Sequence, residues 1–120
     1  MTRQLLALAL TLIIELPCAY PFGARISRER EEPRWRWPVI ILSASLLTHP
    51  FAWWANEVGL IALPFWQRAA IIEVSVVILE AILYRFALPL QAKRAIGASL
   101  LANSASFGFG LLLYALGVAI

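Results

Sequence analysis

Residues 5–22 read LLALALTLIIELPCAYPF, an apolar run long enough to cross a bilayer as one helix and broken by a single ionisable side chain, Glu15. A cleavable signal peptide carries no acid in its apolar region and ends in a small-x-small site, which does not follow cleanly here. A lipid-attachment site at Cys18 fails as well, because Pro17 stands where a small residue is needed. The stretch therefore reads as a membrane span holding a carboxyl group at depth. Outward from it lie three further apolar segments, Pro38–Trp54, Ala69–Ala87 and Ala95–Ile120, separated by charged or proline-bearing breaks. Over 120 residues the chain is 62% hydrophobic and 14% charged, with mean hydropathy +0.79. A soluble chain of this length buries only about two-thirds of its surface and could not hide so much apolar side chain. Soluble enzymes, nucleic-acid modules and secreted disulfide scaffolds are excluded, and Cys18, the one cysteine, has no internal partner and leaves any redox role unread.

The charge pattern orients the spans. Arg25, Arg28, Arg30, Arg34 and Arg36 lie between the first two segments and Arg85, Lys93 and Arg94 between the last two, whereas Arg3 and Arg68 fall on the other side. The positive-inside rule then predicts both hairpin tips in the cytoplasm and both termini outside. The net charge of +3 follows from topology, and no nucleic-acid partner is expected. Trp35 and Trp37 are expected at the inner boundary and Trp53, Trp54 and Trp66 at the outer one, as an aromatic belt. Pro21, Pro38, Pro64 and Pro89 are expected at helix ends, where a missing N–H is harmless. NEVGLIALPFWQ, residues 56–67, is expected to lie in the outer interface, and RISREREEPRWRW, residues 25–37, reads as a solvated, topology-setting loop that offers contact to anionic lipid.

The chain also resembles itself. Ala44-Ser45-Leu46-Leu47 recurs as Ala98-Ser99-Leu100-Leu101, each followed by a polar side chain, His49 or Asn103, while Ile13-Ile14-Glu15 matches Ile78-Leu79-Glu80. This predicts one domain, residues 1–120, made of two parallel hairpin repeats at about 5–54 and 69–120 and related by a pseudo-two-fold along the membrane normal. The expected fold class is all-α: a polytopic membrane protein of four transmembrane helices.

At 1.5 Å rise per residue, Glu15, His49, Glu80 and Asn103 are placed within roughly 5 Å of the bilayer midplane. Ionisable groups at that depth cost a few kcal/mol, turn inward and mark functional sites. The repeat predicts Glu15 beside His49 and Glu80 beside Asn103, or all four converging; Glu73, seven residues before Glu80, lies on nearly the same face. Thr11 and Cys18 flank Glu15, Ser45 and Thr48 flank His49, and Ser99 and Ser106 flank Asn103, so each helix carries a polar stripe. Pro17 and Pro50 free carbonyls at Ile13 and Leu46 and are expected to kink their helices. Ala98, Ala102, Ser106 and Gly110 form a small-residue ridge suited to close helix contact. One His, one Cys and no Asp make a thin metal-ligand set, so neither a metal nor a cofactor is expected, and no catalytic constellation points to an enzyme.

Through TLIIELP, LLTHPFAW, IIEVSVVILEA and SLLANSASFGFG the chain resembles a loosely defined, uncharacterised group of small four-span bacterial integral membrane proteins. That resemblance implies Glu15, Pro17, Thr48, His49, Pro50, Glu73, Glu80, Asn103 and Ser106 as characteristic positions and supplies no function. A looser likeness is to small multidrug-resistance transporters, whose first-helix glutamate exchanges a proton for a cationic drug; only Glu15 carries over. Two functions are expected from the residues. One is a proton or small-cation site of Glu15, His49, Glu73, Glu80 and Asn103 serving transport, and the other a non-catalytic structural or assembly subunit of a larger membrane complex. Either way the bundle is expected to complete its packing in the lipid bilayer as a homo-oligomer or with other membrane subunits.

Overall fold

The computed structural model describes residues 2–118. Among these residues the chain is all-helical: α1 spans Thr2–Glu29, α2 Arg36–Trp54, α3 Phe65–Ala87 and α4 Ala92–Ala115, with a π-helical turn at Ala55–Gly59 extending α2. The final residues of the expected fourth span, 119 and 120, lie outside the described part. α1, α2 with its π turn, and α4 are each long and apolar enough to cross a membrane. α3 is long enough too, but Arg68, Glu73, Glu80 and Arg85 leave no eighteen-residue stretch of it with fewer than three charged residues.

Each helix packs against its chain neighbours, and α1 closes a ring against α4; among the described residues the backbones of the diagonal pairs, α1 with α3 and α2 with α4, do not approach one another closely. Cross-helix pairs run in opposite senses: Phe22 lies against Gly97 where Glu15 meets Ser106, and Arg36 reaches the carbonyl of Ala87 where Thr48 meets Glu80. The bundle is therefore up-down-up-down. All eight basic residues of the two tip regions gather at one end.

α1 outruns its expected limits because Gly23–Glu29 stays helical, aided by the Arg25–Glu29 pair at 2.7 Å, and the link to α2 shrinks to residues 30–35. α1 stops in a Schellman turn, with Glu32 N–H donating to Ser27 O at 2.9 Å and Glu31 N–H to Arg28 O at 3.1 Å. Glu31 adopts φ 53° there. Gly117, φ 78°, closes α4 in the same way. Pro21 corrects the expectation of end-placed prolines: with Pro17 it sits inside α1, exposed on the outer face. Of residues 56–67, the first four belong to the π turn and the last three open α3.

Large apolar side chains point outward along the bundle; Ile13, Leu47, Val74, Ile78 and Leu100 are each more than half exposed, as lipid-facing residues are. Trp35, Trp54 and Trp66 are exposed, but Trp37 departs from the expected belt. It is buried against Gly23, donates its indole N–H to Tyr20 O at 2.8 Å and meets the Tyr84 ring edge-on at 5.2 Å. Trp37, Ile41, Tyr84, Leu88 and Leu90 form the main core with the small faces of Ala19, Ala44, Ala95, Ala98 and Ala102. It fills the basic end, and a smaller cluster of Ala55, Ile72 and Val76 lies towards the other end.

Candidate polar centre

Midway along the bundle two carboxyl groups are fully buried, Glu15 from α1 and Glu80 from α3. Each projects inward while the opposite face of its helix carries exposed aliphatic residues, Ile13 on α1 and Ile78 on α3. The Ser45 hydroxyl of α2 donates to Glu15 Oε2, and Ser106 of α4 donates to Oε1 at 3.0 Å. Thr48 of α2 donates to Glu80 Oε1 at 2.7 Å, and Asn103 Nδ2 of α4 donates to Oε2 at 2.7 Å. Both glutamates thus draw on α2 and α4 together, and α2 serves one from Ser45 and the other from Thr48. Asn103 Nδ2 also reaches Ser99 O at 2.9 Å, while the Ser99 hydroxyl donates to Val77 O at 2.8 Å.

The hydroxyls have second acceptors. Ser45 Oγ lies 3.2 Å from Ile41 O, Thr48 Oγ1 3.1 Å from Ala44 O and Ser106 Oγ 3.1 Å from Asn103 O. A hydroxyl has one proton to give and lone pairs to receive with. When the carboxyl is ionised, these hydroxyls donate to it. When it is protonated, its O–H donates to the hydroxyl oxygen, which turns its own proton to the backbone carbonyl. Either state is satisfied with the helices in place.

Of the expected pairs, Glu80 with Asn103 forms and Glu15 with His49 does not. Ser45, one turn earlier on α2, takes the place beside Glu15. His49 is half-buried next to Trp53, ring centroids 6.4 Å apart, and its Nε2 is buried without a hydrogen-bond partner among the described residues. Thr11 is half-buried and makes no side-chain hydrogen bond among the described residues. Cys18 is a free thiol packed against the main core. Pro50 lies inside α2 on its exposed face, and no group of three His, Cys, Asp or Glu side chains gathers as a ligand set among the described residues.

Glu73 stands apart from both glutamates, two turns from Glu80 towards the end that carries the chain termini. It borders a cavity of about 420 Å³ between α2, α3 and α4, whose wall includes Asn56, Phe65, Phe107 and Tyr114. On the opposite side of the centre, Trp37, Tyr84, Leu88 and Leu90 close the bundle.

Tyr84 is the buried polar neighbour the polar-stripe reasoning passes over. It is fully buried beside Glu80, and its hydroxyl has no hydrogen-bond partner among the described residues. The signal was present: Tyr84 follows Glu80 by four residues and so shares its face. Compared with known protein families, with characterised proteins and with solved structures, the chain matches none.

Proposed function

We propose that this protein is a small integral membrane protein whose Glu15–Glu80 centre reversibly binds a proton or small cation in the service of transport. The observation that carries this is the set of hydroxyls with at least two acceptors each. Ser45, Thr48 and Ser106 accommodate a charged or a protonated carboxyl by rotating one O–H bond, so the proton can come and go without breaking the helix packing. The surroundings are asymmetric in a way that suits one-sided access. A cavity with Glu73 on its wall lies on one side of the centre, and the Trp37–Tyr84 plug lies on the other. In this account all four helices cross a bacterial inner membrane, the basic end is cytoplasmic, and both termini are outside. The hairpins α1–α2 and α3–α4 are copies of one ancestral unit, in keeping with the resemblance to the four-span bacterial group, and the bundle packs further as a homo-oligomer.

The test is proton movement in liposomes of the purified protein carrying an internal pH-sensitive dye, under an imposed pH or Na⁺ gradient. The wild type dissipates the gradient faster than empty liposomes, and Glu15→Gln with Glu80→Gln returns it to the empty rate. An unchanged rate in the double variant refutes the proposal. One observation favours a second reading, an assembly subunit: each carboxyl already ties three helices together, as a purely structural polar joint would. Purification from native membranes in mild detergent decides between them, because a stoichiometric larger partner supports the subunit and an isolated oligomer supports transport.

A further inference from the structure

The cavity beside Glu73 has a chemistry of its own. Its volume, about 420 Å³, is in the range of small-molecule sites. Glu73 is half-buried on its wall and makes neither an ion pair nor a hydrogen bond among the described residues. Among the described residues no lysine or arginine borders the space. Three aromatic rings do, the half-buried Phe107 of α4 and two exposed ones, Phe65 from the start of α3 and Tyr114 of α4, and among the described residues the other polar side chains on the wall are Asn56 and the Tyr114 hydroxyl. A carboxylate lacking a counter-charge, in an otherwise aromatic and aliphatic chamber, selects against anions. It is indifferent to sugars, which need many donors and acceptors. A cation with an apolar body satisfies both parts, because its charge is met by the carboxylate and the neighbouring aromatic rings while its carbon surface displaces water from the walls.

We propose that this cavity binds an organic ammonium ion, with Glu73 as its counter-charge and Phe65, Phe107 and Tyr114 as its aromatic wall. The site is separate from the Glu15–Glu80 centre and does not depend on proton binding there. The ammonium group can come from a free amine or from a choline-type lipid headgroup, which share this chemistry.

The probe is radiolabelled benzyltrimethylammonium, measured by equilibrium dialysis against the full chain in phosphatidylglycerol nanodiscs, with binding to empty discs subtracted. The expected result is saturable binding that neopentylbenzene, the uncharged isostere with carbon in place of nitrogen, competes at least tenfold less well. Glu73→Gln is expected to weaken binding at least tenfold. A second variant guards against a folding defect in the first: a Cβ on Gly110, which borders the cavity, meets no atom within 4 Å, so Gly110→Leu narrows the space while leaving Glu73 intact and is expected to weaken binding at least tenfold. Competition by monomeric dihexanoylphosphatidylcholine assigns the ammonium to a lipid headgroup, and its failure to compete assigns it to a free amine. Absence of saturable binding, equal competition by neopentylbenzene, or unchanged binding in both variants overturns the proposal. Proton flux through the Glu15–Glu80 centre is read separately in the liposome assay, so failure of this proposal and failure of the transport reading are distinguishable.

Discussion

Gly23→Ala is expected to destabilise the bundle far more than one added methyl group ordinarily does. A Cβ at Gly23 falls 2.7 Å from Trp37 Nε1 and 2.8 Å from Cδ2, where carbon atoms in contact need about 3.5–4.0 Å. The indole must therefore retreat by about 1 Å. It has nowhere to go, being 1% exposed and held edge-on to Tyr84 at 5.2 Å. Retreat also stretches the 2.8 Å bond from its N–H to Tyr20 O. Overpacking costs about 1–3 kcal/mol and loss of the hydrogen bond about 0.5–1.5 kcal/mol, so the expected destabilisation is about 2–4 kcal/mol. Reversible unfolding in mixed micelles, followed by far-ultraviolet circular dichroism as the denaturing detergent fraction rises, measures it. In a Trp37→Leu background the same alanine should cost less than about 0.5 kcal/mol, because its partner in the clash is gone. A Gly23→Ala protein as stable as wild type, or an equal cost in both backgrounds, would show that this end of the bundle is not packed as described.

Other consequences are open to measurement. Glu31 holds φ 53° in the Schellman turn that ends α1, a conformation that costs a non-glycine residue about 1–2 kcal/mol, so Glu31→Gly should raise unfolding stability by about 1 kcal/mol. Asn103→Leu keeps the side-chain bulk but strips Glu80 Oε2 of its donor, and the same unfolding assay should register a loss of about 1–2 kcal/mol, with no loss contradicting the bond. For topology, a single cysteine placed at Glu31 in a Cys18→Ser chain should react with a membrane-impermeant maleimide only after inverted vesicles expose the cytoplasmic face. Labelling of intact cells stripped of their outer membrane would reverse the proposed orientation.

Much of the arrangement could be read from residue spacing. Four apolar segments announced four helices, and Glu15, Ser45, Thr48, Glu80, Ser99, Asn103 and Ser106 were singled out by the cost of placing polar groups in an apolar stretch; the structure turns all of them inward. The choice of partner was not legible. Whether Glu15 meets Ser45 or His49 depends on how α2 is rotated about its axis, and one turn of a helix separates the two candidates. Trp37 illustrates a different gap. A tryptophan beside arginines looks like an interfacial anchor, and only the bare backbone of Gly23 across the gap makes room for it inside. Residues 25–29 looked like loop because charge dominates them, yet i,i+4 pairing of Arg25 with Glu29 suits a helix that extends past the apolar stretch. Pro21 misled for a similar reason: its ring faces outward, where the carbonyl it leaves free disturbs no neighbouring helix.

The central claim is that Glu15 and Glu80 gain and lose a proton inside an intact bundle. Infrared difference spectroscopy of the protein in lipid, titrated in steps of pH, observes this directly through the carbonyl stretch of a protonated carboxylic acid. The account predicts a reversible carboxylic-acid band that loses one component in Glu15→Gln and another in Glu80→Gln, with the helical amide bands unchanged across the titration. A band that is insensitive to pH, or one that is undiminished in the double variant, would contradict it.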